Sequence, residues 1–257
     1  MVHIEATLPF TRQRPLRELW DLLTLRGRSV LQIGPGSGHL LAAARQAGCR
    51  VEAVEPSQAR RDLLRDLWNI DAAYPSLDAV PAGRGYDTVV GINALEHAYD
   101  VGAFLGAVRR LLVPGGTCYL SSPNAVSLEA SVLRTWWPAC KGPDQLSFPS
   151  PAGMATATLE SGLRVGRIWS TGLPLEFPVS ALAAARDRAR ARRGHGQHAL
   201  RQSGRPAGIV APGGSAALTN LYTLAALFDP GYRVLGAVGR AASLKACLIQ
   251  PLPRSAR

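Results

Sequence analysis

The stretch Val30-Leu31-Gln32-Ile33-Gly34-Pro35-Gly36-Ser37-Gly38 decides the fold. An apolar run enters a glycine-rich turn, and a helix is expected directly after it from His39 to Ala47, stopped by Gly48. Glycines at such a turn adopt positive φ and let the backbone pass close to a ligand. The spacing is G-x-G-x-G. A dinucleotide fingerprint, G-x-G-x-x-G, would put its third glycine where His39 stands. A Walker loop would end in G-K-[ST], which Gly38-His39 does not supply. Glu55 lies 17 residues beyond Gly38, at the end of the next apolar run, Val51–Val54. A carboxylate there can accept hydrogen bonds from both hydroxyls of a ribose. Loop and acid together point to an adenosine ligand without a pyrophosphate. The competing reading is a tight strand–helix turn with a surface glutamate.

Working outward, strand and helix patterns alternate from residue 29 to about 172, the signature of a parallel sheet flanked by helices. Ser57 is placed to cap the helix after Glu55, with Leu63, Leu64, Leu67 and Trp68 as its apolar face. Asp87–Ile92 reads as a central strand. Val101, Phe104, Leu105, Val108, Leu111 and Leu112 recur at helical spacing. Pro114-Gly115-Gly116 is expected to end that helix and turn into the strand Thr117–Ser121. A helix over Ser150–Ser161 and strands over Arg164–Trp169 and Ser243–Gln250 complete the pattern, with further helices at Leu16–Leu25 and Ala216–Phe228.

The motif residues resemble those of the class I S-adenosylmethionine-dependent methyltransferases. "VLQIGPGSG" is similar to their first motif and "VEAVEPS" to their second. "YDTVVGINALEHAYDVGAFLGAVRRLLVPGGTCYLSSPN" resembles their fourth strand through their fifth, and Leu95-Glu96-His97 resembles the ubiquinone-biosynthesis-like branch that acts on small molecules. The resemblance implies an α/β, Rossmann-like, seven-stranded, mostly parallel sheet with an antiparallel last strand and helices on both faces. It implies S-adenosylmethionine as cofactor. Gly34, Pro35, Gly36 and Gly38 would cradle it, Glu55 would hold the ribose, Leu77 and Asp78 would flank the adenine, and Asn93 would face the methionine end. Gln32 stands where many relatives have an acid that contacts the cofactor's amino group. Asn93 replaces the first glutamate of the E-x-x-E-H found in some relatives, so no required metal is expected. Gln145 stands where relatives often have a histidine. His97 is the candidate catalytic base, since an imidazole suits removal of a phenolic proton near neutral pH. Its alternative role is to position the loop, and Glu96 would orient the loop or His97. Trp136, Trp137 and Phe148 read either as an aromatic wall over the acceptor or as core.

Composition sets the remaining bounds. The chain has 257 residues and a formal charge of +11, and all but two of its 29 basic residues are arginines. No run reaches the ~18–20 apolar residues of a membrane span, and Met1–Arg17 lacks the apolar run of a secretory signal. Cys49, Cys118, Cys140 and Cys247 form no C-x-x-C pair, so a reduced, cytoplasmic protein is expected. One methyltransferase domain is expected over 1–257, with an N-terminal helical extension at 1–28 and a cap inserted at 173–230 between the sixth and seventh strands. The stretch from Arg186 to Arg205 carries +6 of the net charge. It reads as a solvated segment, as a patch for an anionic or lipid-like acceptor or a peripheral membrane surface, or as an RNA contact. His195 and His198 read as part of a polar loop rather than a metal pair. Methyl transfer to an oxygen or nitrogen of a small molecule is the leading function. The rivals are an RNA-modifying methyltransferase and a non-catalytic S-adenosylmethionine-binding protein. Asn93-Ala94-Leu95-Glu96 is not the [DNS]-P-P-[YF] motif of base amino methylation, which argues against nucleic acid.

Overall fold

A computed structural model of the chain describes residues 28–141, 143–171 and 238–253, together with Ala185. The expected helices at 16–25 and 216–228, the extension up to residue 27, the cap at 173–230 apart from Ala185, the arginine stretch and the His195–His198 pair lie outside these residues.

Strand β1 (Ser29–Ile33) is buried along its whole length. An apolar run without alternation needs both faces covered, and it gets them at the centre of a parallel sheet. The other strands are β2 (Arg50–Val54), β3 (Ala73–Tyr74), β4 (Tyr86–Ile92), β5 (Leu112–Pro123), β6 (Arg164–Thr171) and β7 (Ser243–Ile249). They form one seven-stranded sheet in the order β3-β2-β1-β4-β5-β7-β6. The first five strands are parallel, while β7 runs antiparallel between β5 and β6. This is the Rossmann-like arrangement expected from the resemblance.

Helices α1 (His39–Gln46), α2 (Gln58–Trp68), α3 (Val101–Leu111), α4 (Leu128–Leu133) and α5 (Pro151–Glu160) complete the described fold. Leu31, Val89, Leu120, Leu105, Val108 and Met154 form the core on the α3 and α5 side. Val30, Val90, Tyr119, Leu40 and Ala44 form the core under α1. The pairs Val30/Leu31 and Val89/Val90 go to opposite faces, as the strand period of two requires. Helix starts are fixed locally: Asp100 Oδ1 accepts from Ala103 N–H at 3.0 Å, and Ser150 Oγ accepts from Gly153 N–H at 3.0 Å ahead of Pro151.

Three local expectations are corrected. Ser57 occupies the N-cap position of α2, but its hydroxyl makes no capping bond. Its backbone N–H is instead held by Glu55 Oε1 at 3.0 Å. Of the expected apolar face of α2, Leu64 is buried, whereas Leu63 and Leu67 are exposed. Pro114-Gly115-Gly116 is not a turn ahead of a strand but a bulge within β5. Tyr86 pairs with Leu112 and Thr88 already with Thr117. Gly115 supplies φ 78° there, and a Cβ on Gly116 would lie 2.8 Å from the Val113 carbonyl oxygen.

Candidate active site

The chain turns from β1 to β2 on one side and later returns to β4 on the other. A crevice opens outside the carboxyl ends of the strands at such a switch point. Gly34 stands in it. Its N–H donates to the Val54 carbonyl at 2.9 Å, and a Cβ at Gly34 would lie 3.9 Å from Ala94 Cβ. Gly34 therefore touches the ends of both β2 and β4. Glu55 follows Val54 and Asn93 precedes Ala94, so the structure brings the glycine loop, Glu55 and Asn93 to one place.

The three loop glycines have φ of 64°, 56° and 79°, and the loop is closed by a 3.0 Å bond from Gly38 N–H to the Pro35 carbonyl. They are not equivalent. A Cβ on Gly36 would meet nothing within 4 Å, so its missing side chain leaves open space. A Cβ on Gly38 would lie 2.5 Å from Leu64 Cδ2 and 2.7 Å from Trp68 Cδ1. Leu64 is fully buried, and the Trp68 indole is tied to the Ser37 carbonyl at 2.8 Å, so neither can retreat. Gly38 is thus demanded by the packing of α2, whereas at Gly36 only the positive φ calls for glycine and the space beside it is open. His39 packs edge-on against Trp68, with ring centroids 5.2 Å apart.

Glu55 is 3% exposed, which rules out a surface glutamate. One oxygen accepts from Ser57 N–H, and the other is 3.9 Å from the Arg60 guanidinium. A carboxylate offers about four lone-pair directions, so acceptor capacity remains. Gln32 is also buried, and its Oε1 has no hydrogen-bond partner. An unserved acceptor of this kind costs about 1–3 kcal/mol until a donor reaches it.

Asn93 has φ 50° and its N–H donates to the Ser121 carbonyl at 2.9 Å. It lines a cavity of about 300 Å³ together with Pro123, Glu129, Trp137, Ala242 and Ser243, among others. Pro123 ends β5 and pairs with Ser243, which begins β7, so the cavity lies at the same edge as the glycine loop. Helix α4 brings in Glu129, which is buried. Trp137 is both cavity wall and core: it packs on Phe148 at 5.1 Å between centroids and clusters with Leu133.

His97 ends a 3₁₀ turn, Leu95–His97, just beyond Asn93. Its Nδ1 is 2.8 Å from the Asp144 carbonyl oxygen and 3.6 Å from that residue's carboxylate. A carbonyl oxygen only accepts, so Nδ1 carries the proton and Nε2 of the neutral ring presents a lone pair. The adjoining Glu96 carbonyl accepts from Leu146 and Ser147 N–H at 2.6 and 3.1 Å, and Ser147 Oγ donates to the Ala98 carbonyl at 2.9 Å. His97 is therefore part of a clasp between 95–98 and 144–147, and it does not line the cavity. Burial pushes the Glu96 carboxyl above the usual carboxylate range. Leu77 packs on the main core. Asp78 is exposed, with Oδ1 3.5 Å from Arg110. Arg110 sits in the last turn of α3, toward the sheet edge opposite Asn93.

Glu129 was not singled out from the sequence. Helix α4 is six residues long, too short for an apolar period to emerge. The available signal is its start: Ser127 Oγ caps Ala130 N–H at 3.0 Å, fixing Glu129 in the first turn.

Residues 10–167 match the family model described as Methyltransferase domain. The chain is similar to a ubiquinone biosynthesis O-methyltransferase of Bradyrhizobium sp. (strain ORS 278), with 31% identity over 42% of this chain and 45% of that protein. It is 29% identical to the enzyme of the same name from Thiobacillus denitrificans (strain ATCC 25259 / T1), over 60% of this chain and 73% of that protein. The chain spans about half the length of the first of these and of similar ubiquinone biosynthesis O-methyltransferases that it matches. In three dimensions it is similar to a SAM dependent methyltransferase from Archaeoglobus fulgidus, with a TM-score of 0.57, 14% identity and 91% coverage of each chain. That likeness concerns the fold.

Proposed function

Because the chain belongs to the methyltransferase-domain family, we propose that it transfers a methyl group from S-adenosylmethionine to an oxygen or nitrogen of a small-molecule acceptor. The observation that carries this reading is the convergence of the Gly34–Gly38 loop, Glu55 and Asn93 at the switch point. The residues fit the cofactor. Gly36 leaves space for close approach, buried Glu55 has capacity for two ribose hydroxyls, and Gln32 Oε1 lacks a donor that an ammonium group would provide. Pro35 closes the loop, Leu77 borders the adenine side, and Gly38 keeps the loop seated on α2. Asp78, exposed and 3.5 Å from Arg110, stands next to Leu77 on that side.

When bound, S-adenosylmethionine supplies a methyl group already activated on a cationic sulfur. The chain's task is then to hold an acceptor lone pair about 3 Å from that carbon, in line, and to exclude water. Positioning of this kind supplies up to ~7–11 kcal/mol in the most favourable intramolecular cases. The cavity beside Asn93 holds the acceptor, with Pro123 and Trp137 as its apolar wall. For a hydroxyl acceptor that reaches past the cavity, whose lining does not include His97, His97 Nε2 takes the proton, with the ring's tautomer fixed by Asp144.

The setting is the cytoplasm. Cys49, Cys118, Cys140 and Cys247 form no disulfide, and among the described residues no helix is long and apolar enough to cross a membrane. The test is methyl transfer from radiolabelled S-adenosylmethionine to phenols, catechols, amines, lipids and RNA in parallel. Label in small molecules supports the reading. Label in RNA alone, or cofactor binding without transfer to any class, replaces it with one of the two rivals.

A further inference from the structure

The turn from β2 into α2 carries Glu55, and its main chain is held from several sides. The Glu55 N–H donates to the Tyr74 carbonyl, at the end of β3, at 2.8 Å. One carboxylate oxygen accepts from Ser57 N–H at 3.0 Å. The Glu55 carbonyl is taken by a side chain: Arg61 Nη1 donates to it at 2.6 Å and to the Pro56 carbonyl at 2.8 Å. Arg61 Nη2 donates to Gln58 Oε1, and Gln58 Nε2 donates in turn to Asp62 Oδ1 at 3.0 Å. The planar guanidinium has fixed donor directions, so it ties Glu55, Pro56 and Gln58 into one arrangement. The neighbouring arginine does no such work. Arg60 stands 3.9 Å from Glu55 Oε2 with its side chain 60% exposed, where water screens the pair. Both arginines lie in the first turn of α2, which contains no acid. Cations there oppose the helix dipole. Helix formation therefore gives no reason for Arg61, whereas the acceptors of the turn do.

We infer that Arg61 is a positioning residue of the ribose subsite: by clamping the Glu55 and Pro56 carbonyls, it fixes the direction in which the Glu55 carboxylate meets the ribose hydroxyls. This rests on the reading of Glu55 as the ribose acceptor given above. Arg61 acts through the main chain of Glu55. Hydrogen bonds weaken steeply as their angle closes. A turn released from Arg61 still has β2 and α2 on either side, so it loses the alignment of its carboxylate before the fold is lost. The parts of the cofactor that Glu55 does not hold are indifferent to the clamp.

The experiment compares S-adenosylhomocysteine with its analogue lacking both ribose hydroxyls. Each is titrated by calorimetry into the full-length wild type, Arg61→Met and Arg61→Ala, and Tm is recorded for all three chains. The wild type is expected to favour S-adenosylhomocysteine by at least about tenfold, the difference that hydrogen bonds to a charged group make. Either variant is expected to cut that preference to within about threefold of equality, because S-adenosylhomocysteine binds more weakly while the analogue's affinity changes by less than about twofold. A preference that survives in the variants overturns the inference. Equal losses for both ligands, or failure of both variants to fold, make Arg61 a general structural residue and overturn it too; one folded variant is enough to decide. Equal affinities in the wild type remove Glu55 as the ribose acceptor and the inference with it. No binding of S-adenosylhomocysteine to the wild type at millimolar concentration refutes the methyltransferase reading itself.

Discussion

Gly36 and Gly38 share a motif and a backbone conformation, but their replacement by alanine has opposite consequences. At Gly38 the added methyl would stand 2.5 Å from Leu64 Cδ2 and 2.7 Å from Trp68 Cδ1, atoms held by a fully buried neighbour and by a hydrogen-bonded indole. Overpacking of this kind costs about 1–3 kcal/mol, and an L-residue at positive φ adds about 1–2 kcal/mol. With about 2–4 °C of melting temperature per kcal/mol for a domain of this size, Gly38→Ala is expected to lower Tm by about 5–15 °C. At Gly36 no atom lies within 4 Å of the new methyl, so only the backbone term applies and Tm falls by about 2–8 °C. The Gly36 methyl instead occupies space kept for the ligand, and S-adenosylhomocysteine affinity is expected to drop at least about tenfold, which is 1.4 kcal/mol. Scanning calorimetry and titration calorimetry on the two variants read both numbers. If Gly36→Ala binds as the wild type does, or if Gly38→Ala melts with the wild type, the division of labour is wrong.

Other outcomes follow from single contacts. Glu55→Gln retains an oxygen for Ser57 N–H but loses the charge, and hydrogen bonds to a charged group are worth about 1.5–3 kcal/mol, so cofactor affinity should fall about tenfold or more with little change in Tm. His97→Ala should lower turnover far more than cofactor affinity; turnover that stays intact would leave His97 only its clasp with Asp144. Asp87 accepts from both Ser29 N–H and Ser29 Oγ at 2.8 Å, and the backbone bond holds its pKa below the ordinary 3.8. A lowered folded pKa means its contribution is complete above pH 3.8 and drains away as pH falls through the folded value. Asp87→Asn should therefore be about 1–3 kcal/mol less stable at neutral pH by urea titration, with the gap closing as the pH falls below 3.8.

The parts legible in the sequence are those governed by local rules. Ser29–Ile33 is bounded as expected because an unbroken apolar run next to glycines has few alternatives; the helix expected over 101–112 is recognisable because three turns establish a period, but it ends at Leu111 and Leu112 opens β5. Strand β3 has two residues and α4 six, too few for either period to show. The bulge at Pro114–Gly116 reads as a turn until its pairing with β4 and the carbonyl beside Gly116 are known. At the site, the residue types at Gly34, Gly36, Glu55 and Asn93 pointed to one crevice. Their separate duties did not show, because they depend on what each would touch across the fold. Gly38 answers to α2, Asp78 to Arg110, and Glu129 to the closure of α4 over the end of β5.

Titration of S-adenosylmethionine into the full wild-type chain bears most directly on the convergence of the glycine loop, Glu55 and Asn93. One molecule should bind per chain, with affinity in the micromolar range or tighter and weakened by Glu55→Ala. No heat of binding at millimolar cofactor, or binding that Glu55→Ala leaves unchanged, would contradict the assignment of this crevice as the cofactor site.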